Sequence, residues 1–366
     1  MSDFAIIIHP TSEELLHRYE PGMKKKPRQV VKKLLEWMAP FKASDVKGLR
    51  SVTGKTLDGY LVMCPLLMEQ MISLNPRKVL KAIANAGELA SKLGVKIIGL
   101  GAYAALIGNK GLELAQKIKI PITTGAAYTL AMIPEAILRA MKILDVEPEK
   151  AKVLFIGSAN NVVTTCIDIL GHSFNRIYLN GHHSERIDNY IRQQRKDKGI
   201  NIEKINDISE VLAQADVIVV ATNRIPPAFD VHKLKPKTIV FDVSYPRKVP
   251  NNLRDDILVI DGLAVRPPGE VDFNFDFGLP RGLSYPCMAE PLVLAFENRF
   301  ESYSLGREIP IEKVREISRL ASKHGFEIVD FTSQDRLFST EQVKQIKTNA
   351  QKTQTSKRTI FSTPIF

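Results

Sequence analysis

Apolar residues fall along this chain in two alternating rhythms. Short β-branched runs predict buried strands at Phe4 to Ile8, Lys96 to Leu100, Ala151 to Ile156, Arg176 to Leu179, Val217 to Val220, Thr238 to Phe241 and Ile257 to Ile260. Between them, apolar positions recur at helical spacing over 75–92, 126–141, 161–170, 187–196 and 310–323. Leu49 to Lys55 and Gly59 to Pro65 read as a hairpin-like pair, stopped by a proline that has no N–H to give. Ser12 follows the His9-Pro10 turn and can cap the next helix. Strands and helices alternate, which predicts an α/β fold: a Rossmann-like doubly wound parallel sheet with a second α/β substrate-binding domain.

The polar, proline-containing link Asp145 to Lys150 places a boundary near 147. The expected organisation is an N-terminal α/β substrate-binding domain over 1–147, completed by C-terminal helices, then a nucleotide-binding domain over 148–285. A helical region with Cys287 follows over 286–345, and the tail 346–366 is expected to be disordered, because its composition turns to Gln, Thr, Lys and Ser.

With 366 residues, 44% of them apolar, the chain can bury cores for two domains. Its formal charge of +11 gathers at Lys24, Lys25, Lys26, Arg28, Lys32 and Lys33, and again at Lys344, Lys347, Lys352, Lys357 and Arg358. The first group surrounds Val30, Val31, Leu34, Leu35 and Met38, whose spacing predicts an apolar helix face beside a cationic one. An acidic carrier protein, an anionic membrane surface or a nucleic acid would suit that face, as would plain solvation. Aromatic residues are not interleaved with the charge and no zinc-finger spacing occurs, so nucleic acid is not the expected partner. Three distant cysteines, Cys64, Cys166 and Cys287, argue against a disulfide framework and for a reducing, cytoplasmic location. The adjacent His182 and His183 lack HExxH spacing, and no metal site is expected. No export signal or spanning segment is evident.

Gly157 directly follows a strand and precedes a helix, where a dinucleotide phosphate meets backbone N–H groups. Gly157, Ser158, Ala159, Asn160, Asn161 and Val162 are therefore candidate cofactor-binding residues. Ala159 and Val162 stand where G-x-G-x-x-G has glycine, and a plain sheet turn would give the same pattern. The next strand ends in Asn180 and Gly181 rather than an acid, with Ser184 and Arg186 soon after, so the expected cofactor is NADPH, its extra phosphate met by Ser184 and Arg186. Thr222 and Asn223 would lie along the nicotinamide side. Two small-residue turns, Ser51, Thr53 and Gly54, and Thr123, Thr124 and Gly125, could let a substrate approach the backbone.

Cys287 follows Pro286 at the head of the apolar run Met288 to Phe296. A helix starting at Pro286 would set the thiol among unpaired N–H groups, which stabilise a thiolate. Nucleophile, buried structural cysteine and redox switch all stay open as readings. Glu290, one turn on, is placed to bond a substrate, move a proton or favour the helix dipole, and its charge would oppose ionisation of the thiol.

The stretch Cys287 to Glu297, with Gly306, Arg307 and Ala321 to Phe326 beyond it, resembles the cyanobacterial long-chain fatty acyl-ACP reductases, ACP being acyl carrier protein. Ser51 to Gly54, Gly59, Cys64, Thr123 to Gly125 and Phe241 to Pro246 fall in that family's order. The resemblance implies an NADPH-dependent reduction of a fatty acyl thioester, delivered on ACP or as acyl-CoA, to a fatty aldehyde, with the acyl group held on Cys287. It also implies a cytosolic enzyme often found with membranes, and an aldehyde-consuming enzyme as a further partner. The chain departs from the family's G-x-x-G-x-x-G at Gly157 to Val163. Two other readings stand beside it: an NAD(P)-dependent dehydrogenase of a small alcohol or keto acid with no covalent intermediate, and a non-catalytic dinucleotide- or carrier-binding protein.

Overall fold

All five residues of the strand Phe4–Ile8 are buried, as a strand covered on both faces requires. It pairs in parallel with Thr56–Met63 on one side and Ile97–Leu100 on the other, and Ile122–Thr123 extends the parallel set. Phe41–Arg50 adds antiparallel to Thr56–Met63, and Gly269–Asp272 completes the six-stranded sheet. The helix Pro76–Lys92 begins at an Asn75 cap, whose side chain accepts the Arg77 N–H at 2.9 Å, and buries Val79, Ile83, Ala86 and Ala90 in the core. The helix Pro286–Phe296 is buried at every position but Cys287 and lies against Ile97–Leu100. Glycine at 99 permits this, because a Cβ there would stand 2.5 Å from Pro291 Cγ.

The computed structural model describes residues 2–181, 184–222, 229–244, 247–249, 254–333 and 336–361. They form two compact units, Met1–Met132 with Ala264–Val329, and Ile133–Leu263 with Asp330–Phe366. The second unit holds six parallel strands in the order Leu258–Ile260, Ile239–Asp242, Val217–Val220, Lys152–Ile156, Arg176–Asn180 and Ile202–Lys204. Counted along the chain from the opposite edge, this is the doubly wound order 3-2-1-4-5-6, reversing between Lys152–Ile156 and Val217–Val220. The α/β, Rossmann-like reading of the sequence is the fold observed.

The boundaries differ from those expected. The units part at Met132 and Ile133, within the helix Ala126–Ile143, rather than near 147, because the link Asp145 to Lys150 is a tight turn before the next strand. Residues 264–329 return to the first unit, which divides both the expected nucleotide domain and the expected helical region. The tail expected to be disordered from 346 instead continues the helix Thr340–Phe361. Polar composition hid its anchoring: Val343, Ile346 and Ala350 recur at helical spacing and are buried, Lys347 pairs with Asp145, and Asn349 reaches Asp255. The last residues, 362–366, lie outside the described residues.

Candidate functional site

The four parallel strands of the first unit end at one edge, and the residue after each is chemically distinct. His9 follows Phe4–Ile8, Cys64 follows Thr56–Met63, Gly101 and Ala102 follow Ile97–Leu100, and Thr124 and Gly125 follow Ile122–Thr123. Carboxyl ends of this kind are where α/β sheets bind ligands. The helix Pro286–Phe296 starts here and places Cys287 beside the turn Thr123 to Gly125. Gly125 has φ +72°, and a Cβ on it would lie 2.3 Å from Cys287 Cα, so this approach needs glycine.

Glu290 is fully buried, and its carboxylate is spent on the protein. It accepts from the Thr123 hydroxyl and, at 2.8 Å, from the Tyr128 N–H, with Ser304 and the Gly125 N–H also bonding to it. Burial raises its pKa above the usual carboxylate range, and these bonds oppose the rise. The same knot continues through Thr124, which donates to the Ser304 carbonyl, and the Ala127 N–H, which donates to Ser304 Oγ at 3.0 Å. Glu290 therefore builds the turn that meets Cys287, which replaces the expected contact with substrate.

The backbone N–H groups of Met288 and Cys287 itself bond the Cys287 sulfur, as a helix start predicts, and that of Ala102 joins them from the segment after Ile97–Leu100. Although Cys287 keeps part of its surface open, the protein packed around its sulfur pushes the thiol up and the nearby Glu290 adds to that, the opposite direction to a stabilised thiolate. Cys64, fully buried, is pushed up to about 11.

His9 escaped the sequence reading. It is buried, its Nδ1 lies 3.2 Å from the Pro10 carbonyl, and its Nε2 accepts the Tyr103 N–H at 3.0 Å. Burial lowers its pKa to about 4, so the ring is neutral at physiological pH. It holds the segment that starts at Ala102, a non-glycine residue at φ +47° whose N–H faces the sulfur. The available signal was its position one residue past a fully buried strand.

Ser51, Thr53 and Gly54 precede Thr56–Met63 and so occupy the opposite edge of the sheet from Thr123, Thr124 and Gly125. The two small-residue turns, each a candidate for substrate approach, thus lie at different edges of the sheet. Ser51 Oγ lies 2.7 Å from His324 Nδ1, His324 Nε2 lies 2.6 Å from Glu297 Oε1, and Lys323 donates to that same oxygen at 2.7 Å. Although the order serine, histidine, carboxylate suits acyl transfer, Ser51 and His324 are buried and the Ser51 hydroxyl also bonds Thr53 at 3.0 Å. The chain of bonds pins the hairpin turn to the helices ending near it.

In the second unit, Gly157 leaves its strand at the point where the strand order reverses. Cβ atoms at Gly157 and Gly181 would lie 2.3 Å from the carbonyl oxygens of Ala221 and Gly157 respectively, so these strand ends pack backbone against backbone and need glycine. Asn160 caps the helix Asn161–Leu170 by accepting from Val162 and Val163 at 3.0 and 3.2 Å, and donates to the Ala221 carbonyl at 2.8 Å. That side chain occupies the helix amides expected to meet a phosphate. Among the described residues, the Ser158 and Ala159 amides have no protein acceptor. Ser184 opens the helix Ser184–Lys198, Arg186 is exposed on it, and the Thr222 N–H donates to Ser244 Oγ at 3.3 Å. Asn223 lies outside the described residues.

The Shikimate / quinate 5-dehydrogenase family model matches residues 138–263, which contain this entire six-stranded sheet. A curated relative, aminotransferase PigE of Serratia sp., is 28% identical over 309 residues, 82% of this chain. The match covers 36% of that protein, so the chain spans about a third of its relative's length. Among solved structures, shikimate dehydrogenase from Aquifex aeolicus is 16% identical with a TM-score of 0.37, covering 87% of this chain and 98% of that one. L-tryptophan dehydrogenase from Nostoc punctiforme is 11% identical with a TM-score of 0.36, covering 98% of this chain and 90% of that one. These scores are too low to carry an inference about site or substrate.

The comparisons overturn the resemblance to fatty acyl-ACP reductases. The matching family model describes shikimate and quinate dehydrogenases, and the curated relative is an aminotransferase. The fatty aldehyde product and the acyl group on Cys287 fall with that resemblance.

Proposed function

We propose that the protein is an NAD(P)-dependent oxidoreductase of a small alcohol or keto acid, working without a covalent intermediate. The observation that carries this reading is the pair of open Ser158 and Ala159 amides at the reversal of the parallel sheet, within the segment matched by the dehydrogenase family model. The open amides of Ser158 and Ala159 would hold the pyrophosphate. NADPH is the preferred form, because Asn180 stands where an acid would hold the ribose of NAD, and its side chain is committed to the Ile205 and Asn206 carbonyls at 3.0 Å each. The exposed Arg186 would meet the extra phosphate. When bound, the nicotinamide supplies or accepts a hydride.

On the first unit, the edge formed by His9, Ala102, Gly125 and Cys287 would receive the substrate. Cys287, kept protonated by burial, would act there as a hydrogen-bond donor to an oxygen. NADPH oxidation across a panel of keto acids and ketones, followed with intact-mass measurement of the protein, tests the reading. Turnover with an unchanged protein mass is expected. Binding of NADPH without turnover of any panel member would favour a non-catalytic nucleotide-binding protein.

A further inference from the structure

The helix Arg28–Trp37 carries more apolar surface than its own unit covers. Val31 and Leu35 are buried against Leu16 and Leu67, and that contact accounts for one side of the helix. Val30, Leu34 and Trp37 form a second, adjoining stripe, exposed by 46%, 37% and 79%, and Met38, which closes the helix, and Phe41, which opens the next strand, are exposed by 41% and 43%. At 3.6 residues per turn the two stripes together span an apolar arc of roughly 160°, of which only the Val31 and Leu35 side is packed. A tryptophan left four-fifths exposed at the end of such a stripe is an unpartnered anchor.

Cations border the stripe. Lys24, Lys25, Lys26 and Lys33 are exposed and, among the described residues, enter no ion pair. Arg28 and Lys32 are already paired, with Glu13 and Glu69, and Glu36 on the same helix is taken by Lys78. The unneutralised charge near the open stripe is thus positive. Pro27 stands at the N-cap without a side-chain bond, so the helix starts only after the lysine run and Lys24 and Lys25 stay on a separate short turn.

We propose that this face docks the protein on an anionic lipid surface, with Val30, Leu34, Trp37, Met38 and Phe41 entering the interface and Lys24, Lys25, Lys26 and Lys33 meeting the headgroups. A short amphipathic helix with an indole on its apolar side and lysines beside it is suited to an interfacial position. Charge complementarity selects this occupant. Among the described residues no helix is long and apolar enough to cross a membrane, so contact through this element would be peripheral. The inference does not depend on the oxidoreductase reading.

Trp37 is the only tryptophan of the chain, so intrinsic tryptophan fluorescence reports on this face alone. The full chain is titrated with phosphatidylcholine vesicles, with and without about 30 mol% phosphatidylglycerol, and sedimentation is measured in parallel. Anionic vesicles should shift Trp37 emission to shorter wavelength, shield it from acrylamide and carry the protein into the pellet, and salt should weaken all three effects. The triple variant Lys24→Glu, Lys25→Glu, Lys26→Glu, which keeps the reporter, should lose affinity at least about tenfold. Trp37→Ser, an exposed substitution, should lower sedimentation as well. Equal behaviour toward neutral and anionic vesicles, no binding to either, or binding indifferent to both variants would overturn the proposal. So would a Trp37 shift that tracks protein concentration without lipid and accompanies a doubled mass, which would assign the face to a second copy.

Discussion

Glu290 illustrates how much a single buried side chain decides. Its removal in Glu290→Ala leaves the Thr123 hydroxyl, the Tyr128 N–H and Ser304 short of an acceptor, and a loss of about 3 kcal/mol of unfolding free energy is expected in a denaturant titration. Glu290→Gln should lose less, because hydroxyl partners can turn round. The folded carboxyl titrates above its ordinary range, so its contribution is full in acid and fades as pH rises through the raised value. Wild type should therefore lose stability relative to Glu290→Gln over that rise, and a constant difference would contradict the buried acid. Cys287 should be alkylated slowly at about pH 7 and quickly only above the ordinary thiol range, whereas fast modification at neutral pH would contradict a protonated thiol. The sequence showed that Cys287 and Glu290 share a helix face. It could not show that neighbouring segments fill the space around them, since desolvation is a property of packing.

Helices and strands were the most legible level, because a buried parallel sheet demands β-branched runs and its covering helices demand a 3.6-residue period. The Asn160 turn, the Ser12 cap and the helix Ile311–His324 all follow local chemistry that adjacent residues specify. Gly269–Asp272 was not legible: its partner Phe41–Arg50 lies more than two hundred residues earlier, and nothing local marks the pairing. The same limit hid that Ser51 and Thr123 lie on opposite edges of one sheet. At this scale Gly125→Ala should destabilise by at least about 2 kcal/mol, since the new methyl both strains a left-handed backbone and meets Cys287. Asn160→Ala should cost about 1 kcal/mol through the lost cap. Thermal or urea unfolding of each variant checks both values.

At the level of the whole molecule, the chain passes between its two units at residues 132, 263 and 329, so neither unit is a continuous segment. Sequence reading favours continuous domains, because composition marks linkers but leaves no sign where a chain returns to an earlier core. The nucleotide-binding reading belongs entirely to the second unit and can be tested there without reference to substrate. A calorimetric titration of NADPH and of NADH into wild type, Arg186→Ala and Ser158→Asp is the most direct test. The account expects a single site that prefers NADPH, a preference reduced by Arg186→Ala, and binding weakened at least about tenfold when an acid at 158 faces the pyrophosphate. Absence of binding by either nucleotide, or binding indifferent to Ser158→Asp, would contradict it.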